Sequence, residues 1–161
     1  MPAQKKKQDM GDRLVSKNRR ATFDYTLGET LEAGLVLMGS EVRALREGPA
    51  NLTEAWVELD RRGEAWVKGM RIATLKHAAF AHEEVRVRKL LLHEAQIEHL
   101  REGVHREGMT IVVTKCYFKN NRVKLEISLA RGKKDHDKRH ALREKDSLRE
   151  ARSAMQRGRK A

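Results

Sequence analysis

The chain has 161 residues, of which 39% are hydrophobic and 36% are charged, so it has room for one compact domain with a modest core. Its net charge of +12 is typical of proteins that bind a polyanion, most often nucleic acid. The single cysteine, Cys116, excludes an intrachain disulfide, and no apolar run approaches the roughly 18 residues of a membrane span. These features predict a cytoplasmic protein with no membrane partner.

The basic charge is concentrated at the two ends of the chain. Residues 1–20 contain seven basic and two acidic side chains, and residues 131–161 contain twelve and five. Residues 21–130 balance sixteen basic against sixteen acidic side chains. The predicted division of the chain is a flexible basic arm at 1–17, a globular domain at 18–132 and a basic tail at 133–161.

The first predicted strand follows the arm. From Ala21 to Leu27 apolar and polar residues alternate, which is the period of a half-buried strand. Gly28 and Gly34 interrupt the stretch that follows, and we expect bulges or bends there.

A short helix and a hairpin are predicted next. Ser40–Arg46 has the composition of a helix that ends before Gly48-Pro49. Asn51–Leu59 and Glu64–Ile72 are predicted strands joined by a turn, across which Trp56 and Trp66 could meet. Residues 73–85 give no clear prediction.

The second half of the chain gives the clearest strand signals. A helix is predicted from His93 to about Glu102, followed by a strand at Met109–Phe118. After a turn, strict alternation from Val123 to Ala130 predicts a second strand. The pattern indicates a mainly β fold with short helices, for which we expect a small closed antiparallel barrel, OB-like in type.

The tail contains no aromatic residue. Leu142, Leu148 and Met155 lie roughly on one helical face, but this thin apolar stripe cannot support independent folding. We therefore expect residues 133–161 to be disordered in the free chain and to become helical against an anionic partner.

Several short blocks stand in an order and spacing that are together highly specific. They are Asn18-Arg19-Arg20-Ala21, Glu32–Leu37, Gly39-Ser40-Glu41-Val42, Arg88-Lys89-Leu90-Leu91-Leu92-His93, Tyr117-Phe118-Lys119-Asn120, Ala130–Lys134 and Asp135-His136-Asp137-Lys138-Arg139. They resemble the SmpB (small protein B) family of SsrA-binding proteins, over nearly all of residues 15–140.

The resemblance implies a function in ribosome rescue. It implies an OB-type barrel that binds the tRNA-like domain of tmRNA (SsrA RNA) as a monomer, 1:1, and delivers it to stalled ribosomes for trans-translation. It also implies that the tail becomes helical on the ribosome, where it probes the decoding centre and the empty mRNA channel. The protein would need no cofactor or metal and would not be an enzyme.

The resemblance and the local chemistry together select candidate tmRNA contacts. Arg and Lys bind phosphates, a carboxylate such as Glu32 accepts hydrogen bonds from bases, and apolar or imidazole groups stack on unpaired bases. Leu91 could instead pack in the core, and one ring of Tyr117-Phe118 is expected there. The predicted contacts are Asn18, Arg19, Arg20, Glu32, Arg88, Lys89, Leu91, His93, Lys119, Arg122 and Lys124.

The family also implies ribosome contacts in the tail. His136 would stack on ribosomal RNA near the decoding centre, and the basic side chains that follow would neutralise phosphates along the mRNA channel. The predicted tail contacts are Lys133, Lys134, His136, Asp137, Lys138, Arg139, Arg143 and Met155.

Two other classes of function remain open on the sequence. The first is a permanent ribosomal protein with a basic extension. The second is a metal-dependent nuclease that uses Asp135, His136 and His140, although this polar segment offers no apolar shell to fix the geometry of metal ligands.

Overall fold

A computed structural model describes residues 12–76, 81–133 and 135–159. This part of the chain forms seven strands and four helices. In chain order they are β1 (Arg13–Lys17), α1 (Arg19–Asp24), β2 (Tyr25–Leu35), α2 (Gly39–Glu47), β3 (Trp56–Leu59), β4 (Ala65–Lys68), β5 (Arg88–Leu91), α3 (Glu94–Glu107), β6 (Thr110–Lys119), β7 (Arg122–Gly132) and α4 (Asp135–Arg159).

Strands β6 and β7 form the long hairpin that the sequence predicts. Asn120 and Asn121 turn the chain with φ of 50° and 63°, a left-handed conformation that Asn tolerates better than most residues. The alternating apolar residues of β7 point inward and are buried. In β6 a bulge at Thr114 shifts the register, so that Val113 and then Cys116 face the interior.

Antiparallel pairing closes the sheet into a ring. β6 pairs with β7 and β3, β3 with β4, β4 with β5, β5 with β2, and β2 with β7, while β1 adds to β6 beside β3. Closure leaves few unpaired strand edges. The prediction of a mainly β fold with short helices is confirmed. The interior is filled by the buried side chains of Val67, Leu90, Val113, Phe118, Leu125 and Ile127, among others.

Helices α2 and α3 pack against this core. α2 buries Leu45, and α3 buries Ile97 and Leu100. Gly103 lies inside α3 rather than at its end, and a Cβ there would come within 2.8 Å of the Leu129 side chain. The helix continues beyond its predicted end at Glu102 to Glu107, and Gly108 caps it in a left-handed conformation with φ of 63°.

The alternation from Ala21 to Leu27 was misleading, because its first half is helical. Residues Arg19–Asp24 form α1, and the strand begins only at Tyr25. Asn18 explains the difference, since its side chain accepts a hydrogen bond from the Ala21 N–H and so caps the helix.

Part of the predicted N-terminal arm belongs to the sheet. Arg13–Lys17 forms β1, whose residues pair with Lys115–Phe118 of β6. Ser16 fixes the strand further by accepting a hydrogen bond from the Ala50 N–H at 2.8 Å. Residues 13–17 of the predicted arm are therefore part of the sheet, and residues 1–11 lie outside the described residues.

The β3–β4 hairpin has a different register from the one that would join its tryptophans. Trp56 pairs with Lys68, whose ammonium lies 5.4 Å from the Trp56 ring centroid, and Trp66 pairs with Glu58. Asp60 sets this register, because its carboxylate accepts hydrogen bonds from Trp66 Nε1 and from backbone N–H groups in the turn.

Residues 135–159 of the tail form one continuous helix, α4. Its described side chains are exposed, so packing contributes little to the helix. Local propensity favours the helix, since Ala, Leu, Arg, Lys and Glu dominate the segment and His140 lies 3.3 Å from Glu144 one turn later. The disorder of the free tail stays a prediction. Among the described residues, the structure contains no helix long and apolar enough to cross a membrane.

Candidate nucleic-acid interface

One row of side chains crosses the outer face of four neighbouring strands. The register pairs Leu91 of β5 with Gly34 of β2, Gly34 with Lys124 of β7, and Lys124 with Tyr117 of β6. Their immediate neighbours in sequence are buried or half-buried against the core, so the alternation of each strand directs this row outward. The row places an exposed apolar side chain, a cation and an aromatic ring on one surface.

Leu91 lies on the surface beside a glycine. The side chain is 56% exposed, and a Cβ on Gly34 would lie 3.1 Å from the Leu91 Cβ. The alternative that Leu91 packs in the core is therefore wrong, whereas Leu90, which points the other way, is buried. Because Gly34 has no side chain, it does not cover the Leu91 side chain, which remains accessible to a ligand.

An open cavity of about 350 Å³ lies next to Leu91, between the β3–β4 turn and the start of α3. Lys89, Leu91 and His93 line one side of it, with Glu64 and Ile97 also in the lining. The Lys89 ammonium lies 3.2 Å from the Glu64 carboxylate. Apolar, imidazole and cationic groups therefore share this cavity.

Glu32 lies on the same outer face, two residues from Gly34. Its Oε2 accepts hydrogen bonds from the Tyr117 hydroxyl at 2.5 Å and from the Lys119 ammonium at 3.4 Å. The hydrogen bond from Tyr117 has the largest effect and lowers the pKa of Glu32, whereas burial, the next largest effect, raises it. The hydrogen bond and charge of Lys119 and the charge of Lys124 lower it further, and the net pKa is lowered. Glu32 is therefore an anionic acceptor at neutral pH.

A second carboxylate on this face has its own donors. Glu126 lies opposite Glu32 in the register between β7 and β2, and its side chain accepts a hydrogen bond from the Thr114 hydroxyl at 2.6 Å. The Lys115 ammonium lies 3.7 Å from it. Each of the two carboxylates therefore has its own hydrogen-bond donors and its own neighbouring lysine, which reduces the electrostatic repulsion between them.

Lys119 and Arg122 are both cationic and lie opposite each other in the strand register at the exposed end of the β6–β7 hairpin. Together with Lys124 they extend the row toward the turn. The structure thus brings together seven of the predicted contacts on one outer surface, which we call the outer face. They are Glu32, Lys89, Leu91, His93, Lys119, Arg122 and Lys124.

Asn18 has a structural role in place of the predicted contact. It is buried, and its amide nitrogen donates to the Leu52 and Val113 carbonyls, both at 2.9 Å. With its oxygen capping Ala21, the whole amide is used inside the protein. Asn18 therefore fixes α1 and is not available to RNA.

Arg88 is also buried, contrary to its predicted role as an RNA contact. Its guanidinium forms an ion pair with Glu41 of α2 and donates to the Met70 carbonyl at 2.7 Å and the Glu84 carbonyl at 3.1 Å. Arg86 pairs with the same carboxylate at 2.6 Å. Arg88 therefore joins α2 to β5 from inside the ring.

Arg19 and Arg20 are exposed but lie far from the outer face. They belong to α1 at the start of β2, whereas Gly34 lies about 30 Å further along that strand at its normal rise per residue. Arg20 also pairs with Asp24 at 3.1 Å. These two cations form a separate basic surface.

The predicted tail contacts lie around and within α4. Lys133 donates from its ammonium to the Thr22 carbonyl at 3.1 Å and from its backbone to Asp24, so it fixes the junction with the ring. Arg139, Arg143 and Met155 are exposed, and Lys134 lies outside the described residues. His136, Asp137 and Lys138 fall in the first turns of α4.

Sequence reasoning missed the contribution of Gly34 and of the Tyr117 hydroxyl. The alternation of β2 could have placed Gly34 on the same face as Glu32, since the two are two residues apart. The bond from Tyr117 could not have been found this way, because the bulge at Thr114 sets which β6 side chains face outward. Phe118 is the ring that enters the core, as expected for one of the pair.

Comparisons with known proteins identify relatives over nearly the whole chain. The sequence model of the family described as SmpB protein matches residues 15–157. An SsrA-binding protein of Sorangium cellulosum (strain So ce56) is 47% identical over 154 residues, covering 96% of this chain and 94% of the relative. An SsrA-binding protein of Bifidobacterium longum (strain DJO10A) is 48% identical over 149 residues, covering 92% and 94%.

A solved structure shares the fold. It is described as "tmRNA-SmpB: a journey to the center of the bacterial ribosome", and it superposes with a TM-score of 0.64 at 37% sequence identity. The match covers 80% of this chain and 94% of the other.

Proposed function

This chain belongs to the SmpB family, and we propose on that premise that it binds tmRNA and delivers it to stalled ribosomes for trans-translation. The two relatives above are SsrA-binding proteins, and the similar solved structure concerns tmRNA-SmpB on the ribosome. The partners of this chain are therefore tmRNA, through its tRNA-like domain, and the ribosome.

The observation that supports this function most directly is the composition of the outer face. Lys119, Arg122 and Lys124 supply cations for the phosphate backbone, while Leu91 and Tyr117 supply surfaces on which unpaired bases stack. Glu32 adds an acceptor that can distinguish a base edge from a phosphate, since an anion repels the latter. The combination fits a structured RNA with exposed loop bases better than a uniform duplex.

We assign the ring of strands to the OB type of barrel. Six antiparallel strands closed around one core, with helices packed against it, support this assignment. The RNA-binding domain then includes β1, so it begins near Arg13 instead of Asn18 and ends at Gly132.

The tail is the part that engages the ribosome. α4 begins three residues after β7 and exposes basic side chains, including Arg139 and Arg143, with nothing in the described structure covering them. Such a helix can follow an empty mRNA channel by neutralising ribosomal RNA phosphates, whereas an occupying mRNA removes the space. His136, Asp137 and Lys138 would act near the decoding centre, and Met155 further along the channel.

No bond is made or broken by the protein in this function, and it acts as a monomer, 1:1 with tmRNA, in the cytoplasm. Peptidyl transfer belongs to the ribosome. The protein supplies the RNA contacts that position tmRNA there.

The test separates the outer face from the tail in the full-length protein. Replacing Lys119, Arg122 and Lys124 with Ala removes outer-face cations, and replacing Arg143, Arg149 and Arg152 with Glu reverses charge on α4. Tagging on ribosomes stalled without a stop codon is measured beside tmRNA binding. The proposal expects the first variant to lose both activities, and the second to bind tmRNA but fail to support tagging.

The proposal is contradicted if the tail variant supports full tagging, or if the outer-face variant binds tmRNA like the wild type. Stoichiometric recovery of the wild-type protein in salt-washed ribosomes would instead support a permanent ribosomal protein.

A further inference from the structure

Tyr117 reaches across a whole strand to contact Glu32. β7 lies between β2 and β6, so the backbones that carry the two residues are separated by about 10 Å, twice the spacing of neighbouring strands. Glu32 pairs with Glu126 and Tyr117 pairs with Lys124, two residues apart on β7, so the tyrosine side chain crosses the sheet diagonally. A side chain of this length is needed to span that gap.

The two donors to Glu32 meet at the same oxygen. The Tyr117 hydroxyl and the Lys119 ammonium both donate to Oε2. Among the described residues, Oε1 of Glu32 receives no hydrogen bond from the protein. The carboxylate is therefore fixed on one side and available on the other.

Fixing one oxygen matters because a glutamate on an exposed strand otherwise samples several rotamers. An acceptor that is already oriented loses less entropy on binding, and an ionic hydrogen bond is stronger than a neutral one. The hydroxyl of Tyr117 is well suited to this role, because burial and the Glu32 carboxylate raise its pKa and keep it a donor at neutral pH.

We propose that Tyr117 is a positioning residue that holds Glu32 Oε2, so that Oε1 accepts a hydrogen bond from an N–H group on an unpaired base of the bound RNA. The inference rests on the proposed function and adds a specificity determinant to it. An anionic acceptor in a basic surface rewards a base edge with an amino or imino donor and repels a misplaced phosphate. Tyr117 thereby acts through Glu32, in addition to any stacking by its ring.

The variant Tyr117→Phe tests this role, because it removes the hydroxyl and keeps the ring. Binding to tmRNA, with bulk tRNA as competitor, is measured for the wild type, Tyr117→Phe, Glu32→Gln and the double variant. We expect each single variant to lose about tenfold in affinity, the size of one hydrogen bond to a charged group. We expect the double variant to be no weaker than Glu32→Gln alone, since both changes disrupt one interaction.

A second readout in the free protein is independent of RNA. The pKa of the Glu32 carboxyl, followed by NMR, should rise in Tyr117→Phe, because the largest interaction that lowers it is lost. The matched control is Tyr25→Phe, which removes the other tyrosine hydroxyl of the chain and should leave the Glu32 pKa unchanged. As the pH is lowered, tmRNA binding should therefore begin to weaken at a higher pH in Tyr117→Phe than in the wild type, because Glu32 is protonated earlier.

The inference is overturned if Tyr117→Phe binds tmRNA as tightly as the wild type, or if the losses in the two single variants multiply in the double variant. An unchanged Glu32 pKa would also overturn it. A wild-type protein with no preference for tmRNA over tRNA would instead refute the proposed function itself. The binding titration with tRNA as competitor therefore distinguishes failure of this inference from failure of the proposed function.

Discussion

The buried carboxylate of Glu41 should be one of the most sensitive positions in the protein. Its side chain is fully buried and accepts hydrogen bonds from Arg88, from Arg86 at 2.6 Å and from the Met38 N–H at 2.9 Å. Burial by itself raises the pKa of Glu41, but these hydrogen bonds outweigh it, and the net pKa is lowered. The carboxylate therefore remains charged inside the protein.

The variant Glu41→Gln keeps the size of the side chain but leaves the buried Arg88 guanidinium without its counter-charge. Removing one partner of a buried ion pair costs about 3 to 5 kcal/mol. We expect about 3 kcal/mol here, because Arg86 is partly exposed and Arg88 keeps its bonds to two carbonyls. With a typical urea dependence of about 2 kcal/mol per molar, the unfolding midpoint should fall by about 1.5 M.

Urea denaturation of the full chain measures this effect, with Glu47→Gln as the control on the same helix. Glu47 pairs with Arg43 at 3.9 Å on the surface, and such a pair contributes no more than about 0.5 kcal/mol. A midpoint for Glu41→Gln within about 0.3 M of the control, about 0.6 kcal/mol at that slope, would show that breaking this buried pair is not costly.

The stability difference between the wild type and Glu41→Gln should depend on pH, with a sign that follows from the lowered pKa of Glu41. Because the folded pKa of Glu41 is depressed, its contribution is fully present above its ordinary value of 4.5 and is lost as the pH falls through the folded pKa. The stability difference between the wild type and Glu41→Gln should therefore be full at pH 7 and shrink in acid below pH 4.5. A difference that stays constant down to pH 3 would contradict this linkage.

Two further predictions concern the outer face and the core. Gly34→Ala should push Leu91 by a few tenths of an ångström and weaken tmRNA binding. Gly48→Ala, where an added Cβ meets open space, should bind tmRNA like the wild type. Equal tmRNA affinities of the two variants would contradict the role of Gly34. Burial raises the pKa of the Cys116 thiol to about 12, so Cys116 should resist a disulfide reagent in native protein and react after unfolding in urea. Rapid reaction of the native thiol would contradict its burial.

Periodicity predicted those elements whose partners are close in sequence. The alternation of β7 and the polar turn at Asn120-Asn121 were sufficient to identify the long hairpin. The short helix α2 was also predicted within a residue at each end. In each of these cases the local pattern and the tertiary packing favour the same structure.

Polar residues whose partners are distant in sequence could not be assigned in this way. Asn18 is buried because the carbonyls that it bonds belong to Leu52 and Val113, which are 34 and 95 residues away. Arg88 is buried because Glu41, 47 residues earlier, neutralises it. In the sequence both resemble exposed members of basic blocks, and only the closed sheet reveals their interior positions.

The candidate site was predicted in composition more than in arrangement. The resemblance selected Glu32 and Leu91, and the aromatic and basic composition of the hairpin end selected Lys124. These residues lie on three separate strands, and the ring brings them to one face. It could not reveal that Gly34 leaves Leu91 exposed, because this depends on the register between β2 and β5.

The most direct test of tmRNA recognition by the outer face is equilibrium binding of the full-length wild-type protein to tmRNA, with bulk tRNA as competitor and over a series of salt concentrations. We expect selective binding of tmRNA and a logarithm of affinity that falls linearly with the logarithm of salt concentration, as expected for phosphate contacts by the outer-face cations. Replacing Lys119, Arg122 and Lys124 with Ala should make that line less steep by the equivalent of up to about three phosphate contacts. Equal affinity for tmRNA and tRNA, or a slope unchanged in the triple variant, would contradict tmRNA recognition by this face.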